Sequence, residues 1–153
     1  MISYSLKDWI GLSLFTATGA AGTGYYLIDV ISGSLARRWP ALTGRVTSSR
    51  VEQIPGRFGS SYKPCVEYEY AVAGVTYSGD QRRFDDDAYM FKSSAAWRLV
   101  GYAPGTPIVV YYDPHDPSTS VLEPGTEWRT YSTILFFGAW FVFGLGALLG
   151  YLK

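Results

Sequence analysis

Apolar positions are massed at the two ends of this chain and spaced out between them. From Thr130 to Leu152 there is no Asp, Glu, Lys, Arg or His. At about 1.5 Å per residue a helix of that run reaches roughly 34 Å, enough to cross a hydrocarbon core about 30 Å thick. The run is too long and too evenly apolar for a core helix, so it predicts a transmembrane helix over residues 130–152. A second uncharged run, Ile10 to Ile28, is bracketed by Lys7 and Asp8 before it and Asp29 after it. It predicts a first span over residues 9–31. It exceeds the roughly 7–15 apolar residues of a signal-peptide core. Although Ala20, Ala21 and Gly22 imitate a cleavage site, the reading is a retained anchor.

The middle, residues 32–129, alternates and turns as a β-rich soluble domain does. Arg37, Arg38 and Trp39 suit an interface anchor just outside a span, and Pro40 ends any helical continuation. Thr43 to Ile54, rich in Val, Thr and Ser, predicts a strand. Pro55-Gly56 and Phe58-Gly59-Ser60-Ser61 predict a flexible connection. Next, Val66, Tyr68, Tyr70 and Val72 alternate with Glu67, Glu69, Ala71 and Ala73, the pattern of a strand with one face buried. Ala73-Gly74 then turns the chain into Val75-Thr76-Tyr77 as a hairpin. Arg82, Arg83 and Asp85-Asp86-Asp87 read as a solvated loop, without the alternating ligands and closing glutamate of a calcium loop.

Ser93 or Ser94 is placed to cap a short helix running to Leu99 and stopped by Gly101. Pro104-Gly105 is a turn, Ile108 to Tyr112 a buried-type strand, and Ser120 to Leu122 a last short one. The expected fold is membrane α+β: two transmembrane helices flank a small antiparallel β-rich domain, a sandwich or partial barrel, with one short helix. Within the spans, Thr16, Ala20 and Gly24 recur at spacing four, and Gly146 and Gly150 form a GxxxG pair. These five predict the helix-packing faces, with Phe136, Phe137, Trp140, Phe141 and Phe143 turned to lipid.

Composition then narrows the chemistry. Thirteen basic residues balance 13 acidic ones among 153, so no basic excess points to nucleic acid. Mean hydropathy near zero averages two apolar ends with a polar middle. Cys65 is the only cysteine, excluding an internal disulfide, and reads as a buried inert thiol. Asp113, His115 and Asp116 carry metal-ligand residue types, but zinc sites add further His or Cys, and a proline-fixed turn explains them. No nucleophile elbow or phosphate loop occurs. No catalytic residue, cofactor or metal is therefore expected. Asp29 reads as a helix-end carboxylate, with a proton relay as the alternative.

Three stretches carry a family likeness: WPALTGRV from Trp39, VEYEYAVAGVTYSG from Val66, and PGTPIVVYYDPHDPSTSVLEPG from Pro104. In that order between two apolar runs they resemble a family of bacterial membrane proteins, domain of unknown function 3592. The resemblance marks Trp39, Pro40, Gly44, Val46, Tyr68, Tyr70, Gly74, Tyr77, Gly105, Tyr111, Tyr112, Asp113, Pro114 and Pro117 as signature positions. It implies a β-rich domain held beside the bacterial cytoplasmic membrane and brings no established activity. The expectation is a non-enzymatic membrane-anchored scaffold or protein-interaction module. A transport accessory subunit and an immunity-type protein that neutralises a toxin are the alternatives. Expected partners are the lipid bilayer and another membrane protein or a second copy, not nucleic acid. Arg37, Arg38, Arg45 and Arg129 against Lys7 and Lys153 lean the insert to the cytoplasmic side, whereas a short charged N-terminus kept inside would place it outside.

Overall fold

The computed structural model describes residues 6–57 and 59–151. In chain order its elements are α1 (Leu6–Ala36), β1 (Ala41–Gly56), β2 (Gly59–Val72), β3 (Val75–Gly79), α2 (Lys92–Trp97), β4 (Pro107–Tyr112), β5 (Ser120–Val121) and α3 (Trp128–Tyr151). They form two compact units, one from the chain ends up to Ile31 and from Glu127 onward, the other Ser32–Thr126.

In the first unit α1 and α3 pair antiparallel. Thr16 lies against Gly144, Gly19 against Phe141 and Gly22 against Phe137, so numbers rise on one helix as they fall on the other. A Cβ on Gly19 would sit 2.8 Å from the Phe141 backbone nitrogen, so the backbones meet only because that residue is glycine. Trp140 stacks on Phe15 with centroids 4.7 Å apart, and its Nε1 donates to the Phe15 carbonyl at 3.1 Å. Phe137 and Trp140, expected to face lipid, thus take part in the helix contact.

This contact face differs from the expected one. Thr16 belongs to it and is buried, but Ala20 and Gly24 are exposed, and Gly24, Gly146 and Gly150 have open space where a Cβ would project. The reason is rotation: a strict spacing of four advances about 40° per step at 3.6 residues per turn. A contact line must therefore alternate threes and fours, as Phe137, Phe141 and Gly144 do. Among the described residues one helix, Trp128–Gly150, is long and apolar enough to cross a membrane. The N-terminal helix is longer, at 31 residues, but Gly, Ser and Thr dilute it.

The second unit is a five-stranded sheet in the order β3-β2-β1-β4-β5, with every neighbouring pair antiparallel. The sheet curls until its first and last strands meet. A Cβ on Gly79 of β3 would lie 2.7 Å from Ser120 Oγ of β5. Just beyond, the Leu122 and Glu123 amides donate to the Arg82 carbonyl at 3.1 and 2.9 Å. The result is a partial barrel rather than a sandwich. Val46, Val66, Tyr68, Tyr70, Val110 and Leu122 fill it, and alternation along β2 points Val66, Tyr68 and Tyr70 inward as the sequence predicts.

The β1–β2 hairpin outruns this barrel. Its ladder extends from Arg45↔Glu69 to Gly56↔Gly59, so the stretch expected to be a flexible connection is paired strand on both sides. Pairing of β1 with β4 stops at Arg45↔Pro107. A bulge between Val46 and Ser48 shifts the register where the ribbon leaves the sheet, adding twist there. The short helix begins at Lys92 with Phe91 as its N-cap and without a side-chain cap, so Ser93 and Ser94 lie inside it. Burial of Ala95 fixes it instead.

Candidate functional site

Val46, Tyr68 and Tyr70, three of the positions the resemblance marks, lie in the core of the barrel. Tyr68, fully buried, places its hydroxyl 3.0 Å from the Gln81 carbonyl, 3.1 Å from the Ser120 carbonyl and 3.0 Å from Ser120 Oγ. Burial raises its pKa, so it stays a neutral donor. Tyr70 donates to the Pro117 carbonyl at 2.6 Å and stacks on Tyr77 at 5.8 Å. Gly44 lets the strands close up, since a Cβ there would meet the Glu69 carbonyl and Val110 at 2.7 Å. Gly105, with φ of +87°, follows Pro104 in a turn closed by the Thr106 amide on the Ala103 carbonyl, the positions a type II turn assigns to Pro and Gly.

The turn after β4 is structural. Asp116 accepts from the Ser118 amide, from Ser118 Oγ at 2.6 Å and from Thr119 Oγ1 at 2.8 Å, and these bonds hold its carboxyl below the ordinary range. Asp113 accepts from the His115 amide, while the His115 ring is almost fully exposed. No group of His, Cys, Asp and Glu suited to a metal ion occurs among the described residues. Trp39 packs edge-to-face on Phe84 at 5.9 Å within the β unit. Cys65 is half-buried on the outward face of the ribbon, not in the core. Burial and then a 3.5 Å contact to Glu52 raise its pKa, which keeps it a thiol.

The charged centre lies elsewhere, at the seam where the chain after β3 meets the chain after β5. Arg82, only 3% exposed, grips Asp86 with two bonds, Nε to Oδ2 at 2.8 Å and Nη2 to Oδ1 at 2.6 Å. Its third nitrogen reaches Glu123 Oε1 at 2.9 Å. Arg83 pairs with Asp85 at 3.0 Å and with Glu123 Oε2 at 3.2 Å. Tyr102 donates to Glu123 Oε1 at 2.7 Å. Two arginines and a phenol thus saturate one carboxylate. Burial alone would raise Glu123, but the bonds from Tyr102, Arg82 and Arg83 outweigh it and leave its pKa below the usual value. Tyr102 is raised, by burial first and by Glu123 second.

The stretch expected to be a solvated acidic loop is therefore half of a buried ionic staple: the Asp85 and Asp86 side chains are 2% and 8% exposed. The Arg82–Asp86 and Arg83–Asp85 pairs are local, but the carboxylate that closes the staple is not: Glu123 lies 41 positions from Arg82. Beside the staple opens a cleft of about 500 Å³, lined by Trp97, Arg98, Val100, Tyr102, Val109 and Glu123 among others. The carboxylate at its edge, Glu123, is the one already held by Arg82, Arg83 and Tyr102.

These features define a class: a small antiparallel partial barrel, riveted at its seam by ion pairs, in a chain whose C-terminal helix has the length and apolarity of a membrane span. The chain belongs to the family of the domain of unknown function DUF3592, whose family model matches residues 43–127. That range takes in β1 from its third residue, the other four strands and the ionic staple, and stops short of both long helices. No curated protein and no solved structure matches the chain.

Proposed function

We propose that this chain is a membrane-anchored protein-interaction module without enzymatic activity. In this reading α1 and α3 form a two-span hairpin in a bacterial cytoplasmic membrane, and the β unit recruits another membrane protein or a second copy of the chain. One observation carries it: β1 pairs with β4 only as far as Arg45, yet runs on to Gly56. Among the described residues no strand pairs with the outer edge of residues 48–56. An open edge of that length is a template for strand addition. Arg50, Glu52 and Lys63 on the ribbon give such an edge the charges that discourage indiscriminate pairing. The saturated staple favours binding over catalysis, since Glu123 already accepts from three donors.

Photo-crosslinking in native membranes tests the recruitment. A crosslinker at Glu52 or Ile54 gives a discrete adduct, one at His115 gives none, and Val51→Pro on the edge strand removes the ribbon adduct. Absence of any ribbon adduct overturns the recruitment reading. Alkaline carbonate washing tests the anchor: the chain stays with the membrane pellet, and release into the wash overturns the anchor.

A further inference from the structure

One segment of the β unit is unusually apolar at its surface. Met90 and Trp97 are each 76% exposed, Val100 69% and Phe91 63%. Trp97 and Val100 share their cleft with Val109 of β4, itself half exposed. Four large apolar side chains this open within eleven positions exceed what a small soluble domain leaves to water without a use for them.

Within the segment itself the charge has one sign, while Asp85-Asp86-Asp87 lie just before it and Glu123 lines the same cleft. Between Ala88 and Tyr112 the only charged residues are Lys92 and Arg98, with no Asp or Glu. Arg98 sits 5.6 Å from the centre of the Tyr89 ring, so its cation is kept beside the aromatic cluster. Trp, Phe and Met flanked by Lys and Arg make the composition that settles at a headgroup boundary: rings in the interface, cations on lipid phosphates. The helix here, only Lys92–Trp97, is too short to lie along a surface as an amphipathic rod.

We infer that the segment Met90–Val100 docks the β unit onto an anionic lipid surface. The occupant is a bilayer because the charge complements lipid phosphate, and because the tether makes a bilayer the nearest partner. Val100 precedes the apolar helix beginning at Trp128 by 28 positions, so the anchor raises the effective concentration of lipid at the segment. A single weak contact suffices under that condition, as a second signal beside an anchor does for other peripheral surfaces. The inference rests on the anchor reading above.

The test uses the full chain in lipid nanodiscs, with Cys65→Ser as background and an environment-sensitive fluorophore at Met90→Cys or, as control, at His115→Cys. In discs containing phosphatidylglycerol, the Met90 label is blue-shifted and quenched by spin-labelled lipid, while the His115 label stays in water. In pure phosphatidylcholine discs the Met90 quenching falls, and Lys92→Glu with Arg98→Glu lowers docking on the order of fivefold per basic residue. An unquenched Met90 label overturns the inference, whether it stays in water or is shielded by protein. Quenching indifferent to both lipid charge and charge reversal overturns it equally. Flotation with the discs separates the two readings: a chain that does not float fails the anchor, whereas one that floats with a water-exposed Met90 label fails only the docking.

Discussion

Ala73 stands at φ of 50° beside Gly74 at 84°, between the paired residues Val72 and Val75. A two-residue hairpin loop with both central φ positive is the type I′ turn, which fits the twist of its strands and prefers Asn-Gly. An L-alanine in that region costs roughly 1–2 kcal/mol, which Asn tolerates better through its local hydrogen bonds. Ala73→Asn should therefore stabilise the β unit by about 0.5–1 kcal/mol. The measurement is a higher denaturant midpoint at unchanged slope, and an unchanged midpoint would contradict the turn assignment. Glu123 gives a second prediction at this scale. Its folded pKa lies below its ordinary value of 4.5. Its stabilising share is thus complete above that value and is lost as pH falls through the folded pKa. Glu123→Gln should cost about 1–2 kcal/mol near neutrality, toward the low end for a partly solvated hydrogen-bonded charge. Stability curves of the two proteins should converge below pH of about 4.5; a constant gap down to strong acid would remove the linkage.

The elements show why some structure could be read from the chain and some could not. Inward Val66, Tyr68 and Tyr70 of β2 declare themselves because one side of that strand faces a core. The ribbon ends do not: residues 52–56 of β1 are all exposed, so their pairing leaves no apolar alternation and only the ladder itself reveals them. The closing of the ionic staple was equally silent, since Arg82 and Glu123 come together only once the barrel curls. In the helix pair the small residues were visible but their phase was not, because a contact line depends on where the partner helix lies. That phase yields a clean contrast. Gly19→Leu should break the α1–α3 pair, as its Cβ would meet the Phe141 backbone at 2.8 Å. Gly146→Leu and Gly150→Leu should leave it intact, with nothing within 4 Å of either. Crosslinking between cysteines at Thr16 and Ala147, in a Cys65→Ser background, reports the pair. Loss of the crosslink on changing Gly146 rather than Gly19 would overturn the observed face.

At the scale of the whole molecule, the two helices are unequal, and the inequality has a consequence for assembly. The C-terminal helix has the apolarity of a span by itself. The N-terminal one carries Thr16 and Thr23, whose hydroxyls donate to the Leu12 and Gly19 carbonyls of their own helix at 2.8 Å each. Such internal bonds lower the cost of polar groups in lipid without removing it. Packing supplies the remainder: Trp140 donates its indole hydrogen to Phe15, and Gly19 and Gly144 allow close approach. On the proposed two-span reading, membrane residence of α1 should depend on α3, as a second stage that follows insertion of the stronger helix. In a Cys65→Ser chain bearing Lys7→Cys, the thiol should be modified by a membrane-impermeant reagent from the same side as a C-terminal tag. Adding Gly19→Leu should leave the chain in the membrane through α3 but make thiols along α1, such as Ser13→Cys, open to the reagent in intact vesicles. If Ser13→Cys stays protected with Gly19 replaced, α1 holds its place without its partner, and the dependence argued from the helix contact is wrong.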